Sequence, residues 1–176
     1  PTTFNAFRHL AYLYHHQLEN PAKAIVYYQK ARKQSPDNPG FTYYFLAELL
    51  WKNKGDFREA LEVIAEGLSV LKQNKSPTDR TFNGFMLQPL NAKADLHDLM
   101  GDIYAEELQD KKQAFDHFQQ AIKFAPNRVA IHLKRIRIAF EVFKNDLQTE
   151  EFCLQALKYA PKNVEIKGYL KKAQKI

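Results

Sequence analysis

Three segments of this chain end in the same way, with a small residue five positions before a proline. These segments end at Ala31–Pro36, Ala121–Pro126 and Ala156–Pro161. A fourth segment has Gly67 at the small position and Lys72 in place of the proline. The small residues are 36, 54 and 35 positions apart, so one interval carries about 18 extra residues. A period near 35 predicts a repeat array, and this constrains the fold more than any other feature of the sequence.

The composition favours helices. Glycine is scarce, with 6 in 176 residues, and Val, Ile and Thr form no alternating runs of the kind that strands have. The single cysteine, Cys153, excludes an internal disulfide and a cysteine-based metal site. No apolar run is long enough to span a bilayer, and the start of the chain does not resemble a signal peptide. We therefore expect an all-α, cytoplasmic protein, cut from a longer chain because it begins close to a helix.

Each period contains two helical faces, which we assign to a first helix A and a second helix B. In the first period, Phe7, Leu10, Ala11 and Tyr14 lie at i, i+3, i+4 and i+7, and Pro21 suits the start of helix B. The other A faces are Tyr43, Leu46, Ala47 and Leu50; His97, Met100, Gly101 and Tyr104; and Leu133, Ile136, Phe140 and Phe143. The B faces are Ala24, Tyr28 and Ala31; Ala60, Ile64 and Gly67; Ala114, Phe118 and Ala121; and Cys153 with Ala156.

The small residues are expected where helix A crosses helix B, because only Gly or Ala lets two backbones approach closely. They are 20 positions apart in each of the first three pairs, as in Ala11 and Ala31. In the fourth pair Arg137 occupies the position that is small elsewhere. Close packing is therefore not expected at that crossing.

The pattern from Phe7 to Pro36, and again from Met100 to Pro126, resembles the tetratricopeptide repeat. The resemblance implies a right-handed superhelical solenoid of antiparallel helix pairs, with about four repeats and a C-terminal capping helix. It places all of 1–176 in a single domain. The repeats would span approximately 4–38, 40–73, 94–128 and 129–163, with an insertion at approximately 74–93 and the capping helix at 164–176.

The insertion begins with a turn-rich stretch and continues with four large apolar residues in six positions, from Phe82 to Leu87. One interpretation is that these residues pack under the neighbouring helices. The other is that they cover or extend a binding surface, since long loops in compact folds are often functional.

No catalytic motif is present: the sequence has neither a glycine-rich phosphate loop nor a nucleophile elbow. The adjacent pair His15 and His16 would point in two directions on a helix and cannot form a metal site alone. A single helix carrying Asp95, Asp98 and Asp102 rarely supplies enough ligands for a divalent cation. We expect no enzyme activity, no metal and no cofactor.

The resemblance implies a concave groove lined by the A helices. The residues that would line it are Arg8, Tyr12, His15, Phe41, Tyr44, Glu48, Trp51, Asp95, Asp98, Asp102, Lys134 and Arg135. Tyr and Trp are preferred anchors of protein interfaces, although Trp51 suits the core equally well. The acidic stripe formed by Asp95, Asp98 and Asp102 would prefer a basic partner, or would pair internally with Lys134 and Arg135.

The leading hypothesis is a non-catalytic scaffold that binds a peptide or helix of a protein partner in this groove. The alternatives are recognition of RNA or another polyanion by the basic segment from His132 to Arg137, or a regulatory domain of a larger protein. Similar proteins that bind the carboxylate tail of chaperones use Asn on the second A helix and Lys and Arg on the third. Phe45 and acidic residues occupy those positions here, so we expect no carboxylate-clamp binding.

Overall fold

The computed structural model describes residues 3–34, 40–73 and 91–174, and within these ranges all regular structure is helical. The helices are α1 Thr3–His16, α2 Pro21–Gln34, α3 Gly40–Lys52, α4 Phe57–Gln73, α5 Ala92–Glu106, α6 Lys111–Phe124, α7 Val129–Arg137, α8 Asp146–Leu157 and α9 Val164–Ala173. A π-helical turn, Ile138–Val142, continues α7. The predicted all-α helical-repeat fold is confirmed. Apart from its last residues, 91–93, the predicted insertion lies outside the described ranges.

The packing divides the chain into two compact units, Pro1–Leu99 and Met100–Ile176, with the division inside α5. In the first unit, α1 packs on α2, α2 on α3, and α3 on α4. In the second unit, α6 packs on α7, α7 on α8, and α8 on α9. Sequential neighbours therefore supply the core within each unit, as expected for stacked helical hairpins.

The small residues lie where the sequence predicts close approach of the helices. Ala11 and Ala31 are fully buried in the first helix pair, and so is Ala47 in the second. A Cβ atom at Gly67 would lie 2.7 Å from Cβ of Tyr43, and one at Gly101 would lie 2.5 Å from the Phe118 ring. The helices of these pairs therefore touch at distances that leave no room for a larger side chain.

The turn from helix A to helix B has one conformation in all four helix pairs. A residue with positive φ is followed by an Asn or Asp whose side-chain oxygen accepts from the backbone N–H three positions later, at 3.0 Å each time. The pairs are Glu19 with Asn20, Gly55 with Asp56, Gln109 with Asp110, and Lys144 with Asn145. The left-handed residue ends helix A and the Asx cap starts helix B.

The fourth helix pair departs from the repeat at Arg137. Its side chain is exposed and donates to Glu165 Oε1 at 3.1 Å. The next residue, Ile138, begins the π-helical turn, and Ala139 is fully buried. Arg137 therefore does not stand at a helix crossing. Because the π turn changes the residues per turn, the buried face here no longer follows the predicted spacing of Leu133, Ile136, Phe140 and Phe143.

Helix α9 packs on α8 and buries only Ile166 and Ala173 fully or nearly so. Polar contacts supplement this small apolar area. The Tyr169 hydroxyl donates to Glu141 at 2.8 Å, and the Gln174 amide donates to Glu150 at 2.8 Å. No helix in the described ranges is both long and apolar enough to cross a membrane.

Substituting Gly67 with Ala should lower the free energy of unfolding by about 1–3 kcal/mol, because Cβ of Tyr43 is fixed to its backbone and α3 and α4 must separate. Gly168→Ala is the matched control, since no atom lies within 4 Å of a Cβ built there. It should be neutral or stabilising, as Ala is the better helix former. Urea unfolding followed by circular dichroism compares the two. Equal effects would exclude close packing as the cause.

Substituting Gln109 with Gly should raise the free energy of unfolding by about 0.5–1 kcal/mol, because glycine adopts positive φ without a Cβ penalty. Gly55→Ala tests the reverse change at the equivalent turn. Its Cβ would meet nothing within 4 Å, so any loss of stability reports backbone strain alone. Thermal unfolding should show midpoint temperatures shifted in opposite directions in the two variants. Shifts in the same direction would contradict the requirement for positive φ at this turn.

Candidate functional site

Nine of the twelve predicted groove residues belong to the first unit. Helix α1 carries Arg8, Tyr12 and His15; α3 carries Phe41, Tyr44, Glu48 and Trp51; and the first half of α5 carries Asp95 and Asp98. The second unit carries Asp102, Lys134 and Arg135.

In the first unit, six aromatic or imidazole rings surround Phe45, which is 8% exposed. We call these seven residues the Phe45 cluster. The ring centroids lie at these distances from that of Phe45: His16 5.1 Å, His15 5.3 Å, Tyr44 5.4 Å, Tyr28 6.0 Å, Phe41 6.2 Å and Tyr12 6.4 Å. Most of the contacts are edge-to-face, the arrangement that aromatic quadrupoles favour. The cluster joins α1, α2 and α3 into one surface with a defined shape.

The sequence analysis named Phe45 only as the residue at the carboxylate-clamp position of the second A helix and did not include it among the residues that line the groove. One signal was available. Helix α3 is apolar almost all round, and ten of its thirteen residues are buried. A helix with apolar residues on every side must be covered on more than one face. The second covered face of α3 is the one that carries Phe45.

The predicted residues of the first unit differ in accessibility. Tyr12, His15, Tyr44, Glu48 and Asp98 are half-buried. The structure buries the other four more deeply than an open groove wall requires: Phe41 is 3% exposed, Arg8 and Asp95 are 6% exposed, and Trp51 is 8% exposed. The expectation that these four present a free surface is therefore corrected. The Arg8 guanidinium lies 5.1 Å from the centroid of the Phe41 ring and contributes to the packing of α1 on α3.

Carboxylates gather around the hydroxyl of Tyr44. This hydroxyl donates to Glu48 Oε1 at 3.4 Å, and the Lys52 ammonium approaches the same oxygen at 3.2 Å. Burial raises the pKa of Tyr44, and the charges of Glu48, Asp95 and Asp98 raise it further. The face formed by α3 and the first half of α5 therefore combines rings with negative charge.

Two polar atoms of the Phe45 cluster are buried without a hydrogen-bond partner: Nδ1 of His15 and the hydroxyl of Tyr28. Their rings meet edge to face at 6.2 Å. Burial, together with the smaller effect of the neighbouring His16, lowers the pKa of His15 to about 4. His15 is therefore neutral at physiological pH, and the ring cluster carries no added positive charge from this residue.

The three predicted residues of the second unit are already engaged in internal contacts. Lys134 Nζ lies 2.7 Å from Asp102 Oδ2, so this acidic residue has the internal partner that the sequence analysis left as an alternative. Arg135 is 5% exposed, lies 3.8 Å over the Phe152 ring and donates to Gln155 at 3.0 Å. Arg135 therefore faces α8 and does not line the groove, contrary to the prediction from the sequence. Burial lowers the pKa of Arg135 to about 10.

The described residues include no group of three or more His, Cys, Asp or Glu placed to hold a metal ion. The expectations of no cofactor, no catalysis and a cytoplasmic location stay predictions.

A comparison with protein-family models finds the tetratricopeptide repeat at residues 7–38 and 94–128. These two segments match the tetratricopeptide repeat, and together they cover less than half of the chain. The first matched segment covers α2 and most of α1, and the second covers α6 and most of α5. The resemblance to the tetratricopeptide repeat predicted from the sequence is thereby confirmed over these two segments. No curated protein matches the sequence significantly.

Solved structures with tetratricopeptide-type folds superimpose on nearly the whole chain. One is the APC/C hetero-tetramer Cut9–Hcn1, at TM-score 0.67 and 19% identity, covering 98% of this chain and 30% of the other. Another is MamA, at a TM-score of 0.69 and 15% identity, and the match covers 97% of this chain and 80% of that one. A third is YrrB, described as a TPR protein with an unusual peptide-binding site. Its TM-score is 0.65 at 15% identity, and the match covers 95% of this chain and 74% of that one. The repeat family and this fold support a protein-interaction scaffold as the class of function.

Protonation of His15 should destabilise this protein, because its pKa falls from an ordinary 6.5 to about 4 on folding. The unfolded chain binds the proton more tightly, so the contribution of His15 is complete above pH 6.5 and is lost as the pH falls towards 4. His15→Asn should therefore make the unfolding free energy less dependent on pH in that interval. Urea unfolding at pH 7 and pH 5 measures the slope. A wild-type slope in the His15→Asn variant would contradict this assignment.

Proposed function

We propose that this protein is a non-catalytic scaffold and that the face of α1, α3 and the first half of α5 binds an extended peptide or helix of a protein partner. The observation that carries this proposal is the Phe45 cluster. It offers Tyr12, His15 and Tyr44 as half-buried side chains on a floor of closely packed rings. Rings in such positions bury a large area on binding and lose little side-chain entropy.

Pre-organisation supports the same proposal. Interface backbones of pre-organised complexes move little on binding. The edge-to-face contacts of Phe45 with Tyr12 and Tyr44 hold both phenols in place before a partner arrives. A ligand would therefore not need to order these side chains, and this lowers the entropic cost of association.

Nucleic-acid or polyanion binding has less support. The basic segment from His132 to Arg137 was its main argument, and the cations of that segment have internal contacts. Lys134 pairs with Asp102, Arg135 is buried against Phe152, and Arg137 pairs with Glu165. A polyanion would have to displace these contacts, and no second surface of the described residues favours this function more strongly.

Substituting Tyr44 with Ala, or Asp98 with Arg, should each reduce partner capture at least about tenfold, the loss typical of a residue that contributes strongly to an interface. Affinity capture from native lysate with quantitative mass spectrometry gives the partner list for the wild type and each variant. Circular dichroism checks that helicity is retained.

The matched controls lie away from the face. Tyr159→Ala removes an exposed tyrosine of the second unit, and Glu62→Arg reverses an exposed charge on α4. Both should capture the wild-type partners at wild-type levels. Undiminished capture by the Tyr44 and Asp98 variants would overturn binding at this face.

A further inference from the structure

Polar side chains connect the second helices of the first two helix pairs, α2 and α4. The side-chain amide of Gln29 donates to Oε1 of Glu59 at 3.3 Å. Nε of Arg32 donates to Oε1 of Glu66 at 3.0 Å. These contacts show how charge is matched where one pair stacks on the next: donors on the earlier helix meet carboxylates on the later helix.

The positions of α2 that correspond to these two carboxylates carry the opposite charge. The first two pairs correspond at a spacing of 36 residues, which is the interval between their small residues. Lys23 therefore corresponds to Glu59, and Lys30 corresponds to Glu66. Both lysines are exposed, and neither forms an ion pair within the part of the chain that the structure describes.

Helical geometry separates these lysines from the contacts with α4. At about 100° per residue, Lys23 and Lys30 lie roughly 20° apart around the axis of α2, and Arg32 lies roughly 160–180° away from both. Because Arg32 reaches α4, the lysines project from the opposite side of the first pair. This is the side on which a preceding helix pair would stack in a repeat array.

A row of aromatic rings lies beside the lysines. Tyr27 of α2 stacks on Tyr14 of α1 at 5.4 Å and on Phe7 of α1 at 6.2 Å. Nζ of Lys23 lies 5.1 Å from the centroid of the Tyr14 ring, and Nζ of Lys30 lies 5.4 Å from that of Tyr27. The three rings are half-buried. We call these three rings and two lysines the Tyr27 face.

The fold covers the corresponding positions in the second helix pair. That pair lies between α2 and the first half of α5. The residues that correspond to the three rings are at most 1% exposed there: Tyr43, Leu50 and Val63. The Tyr27 face is therefore the half-exposed counterpart of a surface that is buried when helices stack on both sides of a pair.

The charge of the first pair indicates the charge of its occupant. Residues 3–34 contain five Lys or Arg and a single acidic residue, Glu19. A second copy of the chain, docked as α2 docks on α4, would bring Arg32 to the lysines, and like charges oppose association. A nucleic acid is also disfavoured, because base stacking needs open ring faces and these rings stack on one another and on the lysines.

We propose that the Tyr27 face docks an acidic amphipathic helix of a partner protein. Two carboxylates three positions apart on that helix pair with Lys23 and Lys30, at the places that Gln29 and Arg32 have in the contact of α2 with α4. Apolar side chains of the same helix pack on the ring row. This surface shares no residue with the Phe45 cluster, and its binding does not depend on the function proposed above.

Nuclear magnetic resonance on the ¹⁵N-labelled full chain tests the docking. The probe is a synthetic peptide with the sequence of residues 21–34 carrying Gln29→Glu and Arg32→Glu, flanked by alanine turns that support the helix. The unmodified peptide is its control. The acidic peptide should shift amide signals of α1 and α2 and bind at least about tenfold more tightly than the control. Equal affinities, or shifts confined to other helices, would overturn the proposal.

A charge swap locates the interaction. Lys23→Glu combined with Lys30→Glu should abolish the preference for the acidic peptide and create binding of the unmodified peptide, because the face then carries the charges of α4. This gain of binding distinguishes altered recognition from a failure to fold. If the swapped variant still preferred the acidic peptide, the lysines would not be its partners and the proposal would be wrong.

The matched control has the same change of net charge. Lys167→Glu combined with Lys171→Glu reverses two exposed lysines of α9 and should leave both peptide affinities unchanged. An equal loss of acidic-peptide binding in the two double variants would indicate general charge attraction and overturn docking at this face. Tighter binding of a short oligouridylate than of the acidic peptide at α1 and α2 would overturn it in favour of a nucleic acid.

One further variant separates this inference from the proposed function. Tyr44→Ala should leave the affinity for the acidic peptide unchanged, whatever its effect on the capture of partners. A loss of acidic-peptide binding in this variant would assign the peptide to the face of α1, α3 and α5 and overturn docking at the Tyr27 face.

Discussion

The structure depends on close contact between helix backbones at positions where side chains are small. At Gly67 and Gly101 an added methyl group would fall within 2.7 Å of a neighbouring residue, and Ala11, Ala31 and Ala47 are fully buried. Because the backbones approach this closely, larger neighbours such as Tyr28 and Phe118 fill the space on either side and reach the next helix. Tyr28 of α2 reaches Phe45 of α3 in this way, with the ring centroids 6.0 Å apart, and so becomes part of the Phe45 cluster.

The same contact explains why the fourth helix pair differs. Arg137 cannot stand at a close crossing, and α7 changes to a π-helical turn at the next residue. This change keeps Ile136 and Ala139 in the core while Arg137 turns to solvent and pairs with Glu165. A local change of helix type thus accommodates a residue that the repeat does not allow.

Much of the fold could be predicted from the sequence, because helical periodicity, turn residues and small residues at a fixed spacing are local signals. Pro21 begins α2, as its position in the sequence predicts, and Asp56 and Asp110 accept from the backbone of the first turns of α4 and α6. The candidate site could be predicted only in part. Tyr12, Tyr44 and Glu48 lie half-buried on one face, as predicted. The positions of Phe45 and Arg135 could not be predicted, because they depend on which neighbouring helix each side chain contacts.

The sequence by itself determined the repeat and its helical hairpins, since both follow from residues that interact within about 20 positions. Only the tertiary structure decided how the polar and aromatic side chains are used. It placed six rings around Phe45, gave Asp102 an internal partner in Lys134, and buried the Tyr28 hydroxyl without a partner. The physical reason is that burial and charge pairing arise between helices, and the spacing of residues along one helix does not fix which atoms of another helix they meet.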